Sequence, residues 1–236
     1  MSAQAPPIFQ SERPWMMGAR RERYSDGHTP EIPIGGRVKR AFDIAVASTV
    51  LLLFSPLILT VAALIWVTQR NTVIFKHERI GFSGRKFYCY KFCTMVPNAD
   101  GVLRDYLASN SEAANEWREN QKLKHDPRVT FLGHIMRKSS IDELPQLLNV
   151  LKGDMSCVGP RPIVDSEVER YGADMAHYMR ARPGISGLWQ VSGRNSLTYD
   201  ARVALDAHYV RNWSFLTDVV ILLKTIPAVM RPASTS

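Results

Sequence analysis

The sequence has 236 residues, of which 45% are hydrophobic, enough for a buried core in one fair-sized domain or two small ones. Its formal net charge of +8 at pH 7 favours anionic partners such as nucleic acid, phosphate-bearing substrates or an anionic membrane surface. The three cysteines, at positions 89, 93 and 157, cannot close a disulfide set and lack zinc-type spacing, which excludes a disulfide-rich secreted class. A reduced, cytosolic setting is therefore expected for the soluble part.

Residues 1–35 are predicted to form a disordered, basic tail. This segment contains scattered prolines and a basic cluster, namely Pro6, Pro7, Pro14, Pro30, Pro33, Arg20, Arg21 and Arg23. It is not typical of a signal peptide, because the apolar run that follows begins too late and is too long.

The apolar run 44–67 carries no charge and, as a helix, would be roughly 36 Å long against a hydrocarbon core of about 30 Å. Basic residues flank it on both sides, and such residues mark the cytoplasmic face of a membrane. Ser55 and Pro56 interrupt its middle, where proline deprives the Leu52 carbonyl of its partner and Ser55 could offer a hydroxyl instead. We predict a re-entrant membrane helix over residues 36–70. An ordinary kinked transmembrane helix is the alternative.

The rest of the chain predicts a mainly α, α+β fold. A β-hairpin is expected over 73–92 with a Ser83-Gly84 turn, a polar surface helix over 102–124, and a helix over 140–151. One or two helices are expected within 163–182, a loop over 185–195, and a helix over 199–212. Residues 215–230 predict an amphipathic helix that lies on the membrane or on the first helix.

Adjacent carboxylates stand out in the segment 137–162. Asp142 and Glu143 precede an apolar helical run, and Ser140 with Glu143 fits a capping box. Pro145 fits only the first turn of a helix, so the acidic pair is expected at a helix N-terminus, where the helix dipole favours anions. Plain helix capping by solvated acids is the alternative.

Several arginines near this pair indicate phosphate chemistry. Arg137 lies one turn before it, and Arg161 is fixed between Pro160 and Pro162. Arginine makes fork-shaped contacts with phosphate oxygens. Mg²⁺ would need one carboxylate plus substrate oxygens, and the other carboxylate could attack phosphorus. The alternatives stay open: a surface turn for Arg161, a solvated loop for Arg194, and buried polar caps for Asp206 and Asp218.

No Walker loop, GxGxxG, GxSxG or Asp-x-Asp motif occurs, so an ordinary nucleotide-sugar transferase fold is not expected. The sequence instead resembles the bacterial sugar transferase family, the small monotopic polyprenyl-phosphate phosphoglycosyl transferases, from about Lys39 to Met230. The resemblance rests on KRAFDIAVA, the Ser55-Pro56 break, RIG, KFCTM, DPRVT, RKSSIDELPQLLNVLKGDMSCVGPRP, RPGISGLWQVSGRN and YVRNWSFLTD.

The resemblance implies that a hexose-1-phosphate, galactose or glucose, moves from a UDP-sugar to undecaprenyl phosphate with release of UMP. This would start exopolysaccharide synthesis at the bacterial inner membrane. It implies Mg²⁺ as cofactor, a re-entrant membrane helix, and residues 71–236 as a catalytic domain facing the cytoplasm with an interfacial C-terminal helix. A homodimer is possible, and inner-membrane lipids are the surrounding partners.

The resemblance also implies a role for each site residue. Asp142 would be the nucleophile, and Glu143 would assist Mg²⁺ placement or proton handling, so that both acids are candidate metal ligands. The other expected members bind substrate: Arg137, Arg161, Arg194, Lys91 and Asp218. One departure is Cys93, at a position where the family usually has a basic residue.

A non-catalytic membrane-bound adaptor is the rival hypothesis, because basic charge and a membrane helix suit it equally well. The cluster of acids and arginines does not suit it, and release of UMP would separate the two. Nucleic-acid binding is not expected, since only the net charge favours it.

Overall fold

The computed structural model describes residues 32–69, 72–120, 123–193 and 197–230. These residues form a mainly helical fold with a small β-hairpin, as predicted. The helices are α1 (Gly36–Gln69), α2 (Ala99–Ser109), α3 (Ser111–Asn120), α4 (Phe131–Ser139), α5 (Gln146–Lys152), α6 (Val168–Tyr171), α7 (Met175–Tyr178), α8 (Leu188–Ser192), α9 (Tyr199–Arg211) and α10 (Phe215–Met230). The strands are β1 (Ile74–Ile80), β2 (Lys86–Phe92), β3 (Ser156–Val158) and β4 (Gly184–Ser186). The tail predicted for 1–35 falls almost wholly outside the described residues.

Helix α1 is long and apolar enough to cross a membrane by length and composition. Its 34 residues run through Pro56 without an interruption of the helix. The Ser55 hydroxyl donates a hydrogen bond of 2.8 Å to the Leu52 carbonyl, which confirms the predicted relief of that unpaired group. The re-entrant path stays a prediction.

Both halves of α1 pack against the rest of the protein, whereas residues 52–54 at its centre are exposed. Ala47 joins one buried cluster, with residues of β2 and α5, and Ile65 joins another, with Phe92 and Met136. Between them, Leu52 and Leu53 are 78% and 71% exposed. The helix therefore leaves an apolar central surface uncovered.

The predicted β-hairpin is confirmed, with β1 antiparallel to β2. Ser83 and Gly84 make its turn, both with positive φ, at 58° and 72°. His77 pairs with Cys89, and because directly paired residues share a face, Phe75, His77 and Arg79 lie on one face together with Lys91.

Helix α5 lies along the outer edge of β2. The Asn149 side chain accepts a 3.0 Å hydrogen bond from the Tyr90 N–H and donates one of 2.7 Å to the Tyr88 carbonyl. Arg40 of α1 donates to the carbonyls of Val150 and Leu151 at the end of α5. Hairpin, α5 and α1 are thus joined by hydrogen bonds between elements far apart in the sequence.

Strands β3 and β4 form a short parallel pair. A Cβ atom added to Gly184 would lie 2.1 Å from the Gly159 nitrogen, so only glycine permits this close approach of the two backbones. The loop predicted for 185–195 was wrong in part, since it contains the end of β4 and all of α8. The partner strand is distant in sequence, which local turn residues do not reveal.

The polar helix predicted over 102–124 is two helices, α2 and α3. Asn110 ends α2 in an extended conformation, and its side-chain oxygen accepts a 3.0 Å hydrogen bond from the Ala113 N–H. This cap starts a new helix where a continuous one was expected.

Helix α10 has the predicted bounds and meets the start of α1. Phe215 makes an edge contact with Phe42, with ring centroids 4.9 Å apart. An apolar strip of α10 stays exposed, formed by Phe215, Leu216, Val220, Leu223 and Ile226. Its placement at a membrane surface stays a prediction.

Candidate active site

An open cleft of about 680 Å³ lies between the inner face of the β-hairpin and the turn that carries the two acids. Four of the predicted site residues line it together: Lys91, Arg137, Asp142 and Glu143. Residues that are far apart in the sequence thus converge on one cavity.

The turn itself differs from the predicted capping box. Ser140 has φ of 57°, and its backbone N–H closes the end of α4, so it terminates that helix. The Ser140 side chain makes no capping hydrogen bond, and Ile141–Glu143 form a 3-10 turn before α5. Pro145 immediately precedes α5, as expected for a helix start.

Glu143 is held by the hairpin. Its carboxylate accepts a 2.6 Å charged hydrogen bond from Lys91 Nζ. Burial tends to raise the pKa of Glu143, but Lys91, together with Arg161 and a hydrogen bond from Gln146, outweighs burial and holds the pKa below its usual value. Glu143 is therefore a fixed anion.

Asp142 has a different environment, although it is the neighbouring residue. Burial, reinforced by the charge of Glu143, raises the pKa of Asp142 to about 6, against the opposing effect of Lys91 and Arg137. Desolvation is the largest of these effects, so the pKa of Asp142 rises even though the nearby cations oppose the rise. Asp142 is still mainly ionised at neutral pH.

Arg137 enters the cleft from the last turn of α4. Its Nε donates a 3.0 Å hydrogen bond to the hydroxyl of Thr94, a buried residue just after β2. That bond uses one of the five guanidinium donors and orients the side chain. A guanidinium has four further N–H donors, with which Arg137 could bind a ligand in the cleft.

Arg161 lies beside the cleft on the turn between Pro160 and Pro162. Its guanidinium lies over the Trp189 ring, 5.8 Å from the centroid, and Trp189 lines the cleft. Its backbone N–H donates a long, 3.4 Å hydrogen bond to Asp206, a carboxylate buried under the turn. Its charge reaches Glu143, whose pKa it helps to lower.

Asp218 does not line the cleft, and Arg194 lies outside the described residues. Asp218 is fully buried in α10 and accepts hydrogen bonds from Lys39 at 2.6 Å, Tyr209 at 2.6 Å and Trp213 at 3.0 Å. This placement agrees with the alternative of a buried polar cap.

Several lining residues were not singled out from the sequence, among them His77, Arg79, Thr94 and Trp189. The alternation of side chains along β1 gives the signal that could have found two of them. His77 and Arg79 share their face with Lys91, which was singled out.

Cys93 also lines the cleft, and its thiol makes a 3.5 Å contact with the Met95 carbonyl. A basic side chain in this place would add to the cations already there. Cys89 is buried in the hairpin, and burial raises the pKa of its thiol to about 11, so it packs as a small apolar residue.

The two acids fit a magnesium site in which the substrate supplies some of the metal ligands. Across the described ranges, no three His, Cys, Asp or Glu side chains cluster as a metal site. Mg²⁺ commonly needs only one or two carboxylates and takes its other ligands from water and substrate phosphate. Glu143 is paired with Lys91, whereas Asp142 has no ion pair among the described residues, which leaves an anionic oxygen donor.

The arrangement suits chemistry on a phosphate ester. Lys91, Arg137 and Arg161 surround the acids with positive charge, which attracts a multiply charged anion. Asp142 supplies a desolvated carboxylate, a competent nucleophile toward phosphorus.

The chain matches the sequence model described as bacterial sugar transferase over residues 34–232. It is 52% identical over 197 residues to exopolysaccharide production protein ExoY of Rhizobium meliloti (strain 1021), covering 84% of this chain and 87% of that protein. It is 50% identical over 197 residues to undecaprenyl-phosphate galactose phosphotransferase of Salmonella typhimurium (strain LT2), covering 82% of this chain but 40% of that protein. It is 37% identical over 212 residues to UDP-glucose:undecaprenyl-phosphate glucose-1-phosphate transferase of Caulobacter vibrioides, and the match covers 86% of this chain and 73% of that protein.

Proposed function

The chain belongs to the bacterial sugar transferase family and is a sugar-1-phosphate transferase, and from this we propose its full reaction. It transfers hexose-1-phosphate from a UDP-sugar to undecaprenyl phosphate, releases UMP, and thereby starts exopolysaccharide synthesis. Relatives named for galactose and for glucose support these two hexoses as the first candidates.

The observation that carries the mechanism is the unequal environment of the two acids. Lys91 engages Glu143, whereas Asp142 is buried without an ion pair among the described residues. An acid tied to a lysine is a poor nucleophile, because attack would break that pairing. Asp142 is therefore the attacking group and would also offer an oxygen to Mg²⁺, and Glu143 is the fixed anion that orients Lys91.

The reaction proceeds as two displacements. In the first, an Asp142 oxygen bonds to the β-phosphorus, and the bond from that phosphorus to the bridging oxygen breaks, so UMP leaves with the electron pair. In the second, an oxygen of the lipid phosphate bonds to the same phosphorus, and the Asp142 carboxylate is released. Splitting one transfer in two lets UMP leave before the lipid arrives.

The basic residues bind and orient the substrates. Arg137 and Arg161 hold phosphate and nucleotide oxygens, and Lys91 offers a cation next to Glu143. Arg194 is proposed to hold the diphosphate. Bound Mg²⁺ would neutralise the diphosphate, which lowers the repulsion between it and an attacking carboxylate. Asp218, given its burial beside Lys39, acts through the fold.

The membrane placement is also proposed. Both ends of α1 pack on one globular unit while its apolar middle is exposed, which supports a helix that enters one leaflet and returns. A spanning helix would have its ends on opposite sides of the bilayer, about 30 Å apart. We propose that the protein lies in the bacterial inner membrane, with the cleft on the cytoplasmic side at the level of the lipid phosphates.

The test is release of UMP from a panel of UDP-sugars, with and without undecaprenyl phosphate and Mg²⁺. UDP-sugar alone should give UMP at near one equivalent per enzyme, and intact mass should rise by one phosphosugar on Asp142. Asp142→Asn should lose nearly all activity, and Glu143→Gln should be damaged less. An adduct on another residue, or none with ternary-complex kinetics, would overturn the mechanism. Absence of UMP with every donor would favour the adaptor.

A further inference from the structure

His77 has no part in the mechanism above, yet it lines the cleft. It lies in the middle of β1, paired with Cys89, on the hairpin face that carries Arg79 and Lys91. Its ring meets Phe75 edge-on, with centroids 5.9 Å apart. It is thus a partly exposed imidazole on the wall opposite the acidic turn.

One nitrogen of this imidazole has a partner that can only donate. His77 Nδ1 lies 3.1 Å from Nη2 of Arg79. A guanidinium has no acceptor, so Nδ1 must be the acceptor and carry no proton. The ring is therefore neutral, and its single proton is on Nε2.

The surroundings stabilise this state. Arg79 is itself paired with Glu167, at 3.7 Å. Burial, Arg79 and Lys91 lower the pKa of His77, and Glu167 opposes them only in part. Across the cleft, Arg137 adds positive charge, and Asp142 and Glu143 add negative charge.

We propose that His77 is a neutral hydrogen-bond donor whose Nε2–H binds a phosphate oxygen of the nucleoside diphosphate sugar, and this rests on the proposed function. Its position between Arg79 and Lys91 places it where two cations stabilise an anionic oxygen. A neutral donor there adds a hydrogen bond to phosphate without adding a third cation to this wall of the cleft.

The first test compares side chains that keep or lose the donor. In His77→Gln, the amide oxygen can accept from Arg79 and the amide N–H can donate into the cleft. We expect kcat/KM for UMP release within about threefold of wild type for His77→Gln, and a fall of roughly 10-fold to 100-fold for His77→Ala, as for a lost hydrogen bond to a charged group. His134→Gln, at an exposed position of α4 that does not line the cleft, is the matched control and should leave kcat/KM unchanged.

The second test reads the proton directly in ¹⁵N-histidine-labelled protein, with the His77 signal assigned from His77→Gln. At neutral pH, Nδ1 should be unprotonated and Nε2 protonated, and UDP should shift the Nε2–H resonance. An Nδ1–H tautomer, an imidazolium, or His77→Ala with wild-type kinetics and UDP affinity would overturn the proposal. If the wild-type protein releases no UMP, the proposed function is wrong. The tautomer and the UDP titration then still test whether His77 is a neutral donor that binds phosphate.

Discussion

Lys91 Nζ lies 2.6 Å from a carboxylate oxygen of Glu143, so one ion pair connects the β-hairpin to the turn that bears Asp142. The pair is partly exposed, so its contribution to stability is modest. The pair also affects the neighbouring carboxylate. The charge of Lys91 opposes the rise in the pKa of Asp142 that burial causes.

The first prediction concerns this lysine. Asp142 must be ionised to attack, and its pKa is about 6, so UMP release should fall as the pH drops through about 6. Lys91→Met removes a charge that lowers this pKa, so the acidic limb of the rate–pH profile should move to higher pH. Lys91→Arg keeps the charge and should leave the limb near its original place. An unmoved limb in Lys91→Met would contradict this account.

The second prediction concerns the stability cost of the buried acid. Because the pKa of Asp142 is raised, the folded state binds its proton more tightly than the unfolded chain, and stability should fall as the pH rises from about 4 to about 6. Asp142→Asn lacks this titration and should be more stable at neutral pH by on the order of 1–3 kcal/mol. The difference should disappear below about pH 4.

Glu143→Gln provides the contrast for that experiment. The pKa of Glu143 is lowered, so its ionised form contributes stability above the unfolded pKa, and this is lost as pH falls through the folded pKa. Glu143→Gln should therefore be less stable than wild type at neutral pH. Denaturant melts at several pH values measure both, and equal signs for the two variants would refute the division of roles.

The third prediction concerns the pair between α1 and α10. Lys39 and Asp218 have side chains that are 6% and 0% exposed, so Lys39→Met leaves a buried carboxylate without its cation. The cost should be about 3–5 kcal/mol in unfolding free energy. Lys86→Met, which removes exposed pairs with Glu78 and Asp165, should cost less than Lys39→Met, on the order of 1 kcal/mol in total.

Asp218→Asn tests whether this acid also binds substrate. The fold explains its burial, so the variant should lose stability while the folded molecules keep their kcat and KM. A large rise in KM at unchanged stability would show instead that Asp218 binds substrate.

The fourth prediction concerns the backbone beneath Arg161. Gly184→Ala would place a Cβ atom 2.1 Å from the Gly159 nitrogen, forcing β3 and β4 apart. We expect a loss of at least about 2 kcal/mol in stability and a drop in activity, because the turn with Arg161 follows β3. In the control Gly101→Ala, the three atoms nearest the new Cβ all belong to the Asn98 side chain rather than to backbone, so the melting temperature should change much less than in Gly184→Ala.

The fifth prediction concerns the path of α1. With the three native cysteines replaced by serine, single cysteines at Arg37 and Thr72 should react with a membrane-impermeant reagent from the same, cytoplasmic side. Changing Ser55 to Ala and Pro56 to Leu removes the break and should favour a spanning helix, which moves one label to the other side. Opposite sides in the unaltered helix would establish the ordinary transmembrane alternative.

Local patterns predicted much of the fold. The aromatic and β-branched run with its Ser83-Gly84 turn predicted the hairpin, and the apolar run predicted α1, including the bond from Ser55 to Leu52. The pairing of β3 with β4, which joins distant segments, was missed, and so was one local feature. Ser140 adopts a left-handed conformation because it ends α4, and no S-x-x-E pattern reveals that.

The candidate site was predicted to the same extent. The acidic pair and its basic neighbours follow from residue type, and Lys91, Arg137, Asp142 and Glu143 do meet in one cleft. The pKa of Asp142 depends on burial by other elements, which a linear sequence does not give. His77 was not singled out as a site residue, and only the register of the hairpin places it on the same face as Lys91.

The Asn149 amide forms hydrogen bonds with the Tyr90 N–H and the Tyr88 carbonyl on the outer edge of β2, as a third strand would. An open strand edge is a template for pairing with other chains, and Asn149 occupies part of the β2 edge that another strand would need. It also makes the Tyr90 amide a reporter, since hydrogen exchange there requires α5 to leave the hairpin. Slow exchange at Tyr90 would mean that the hairpin and the helix after the acidic turn unfold together, so that the cleft keeps its shape until both are lost.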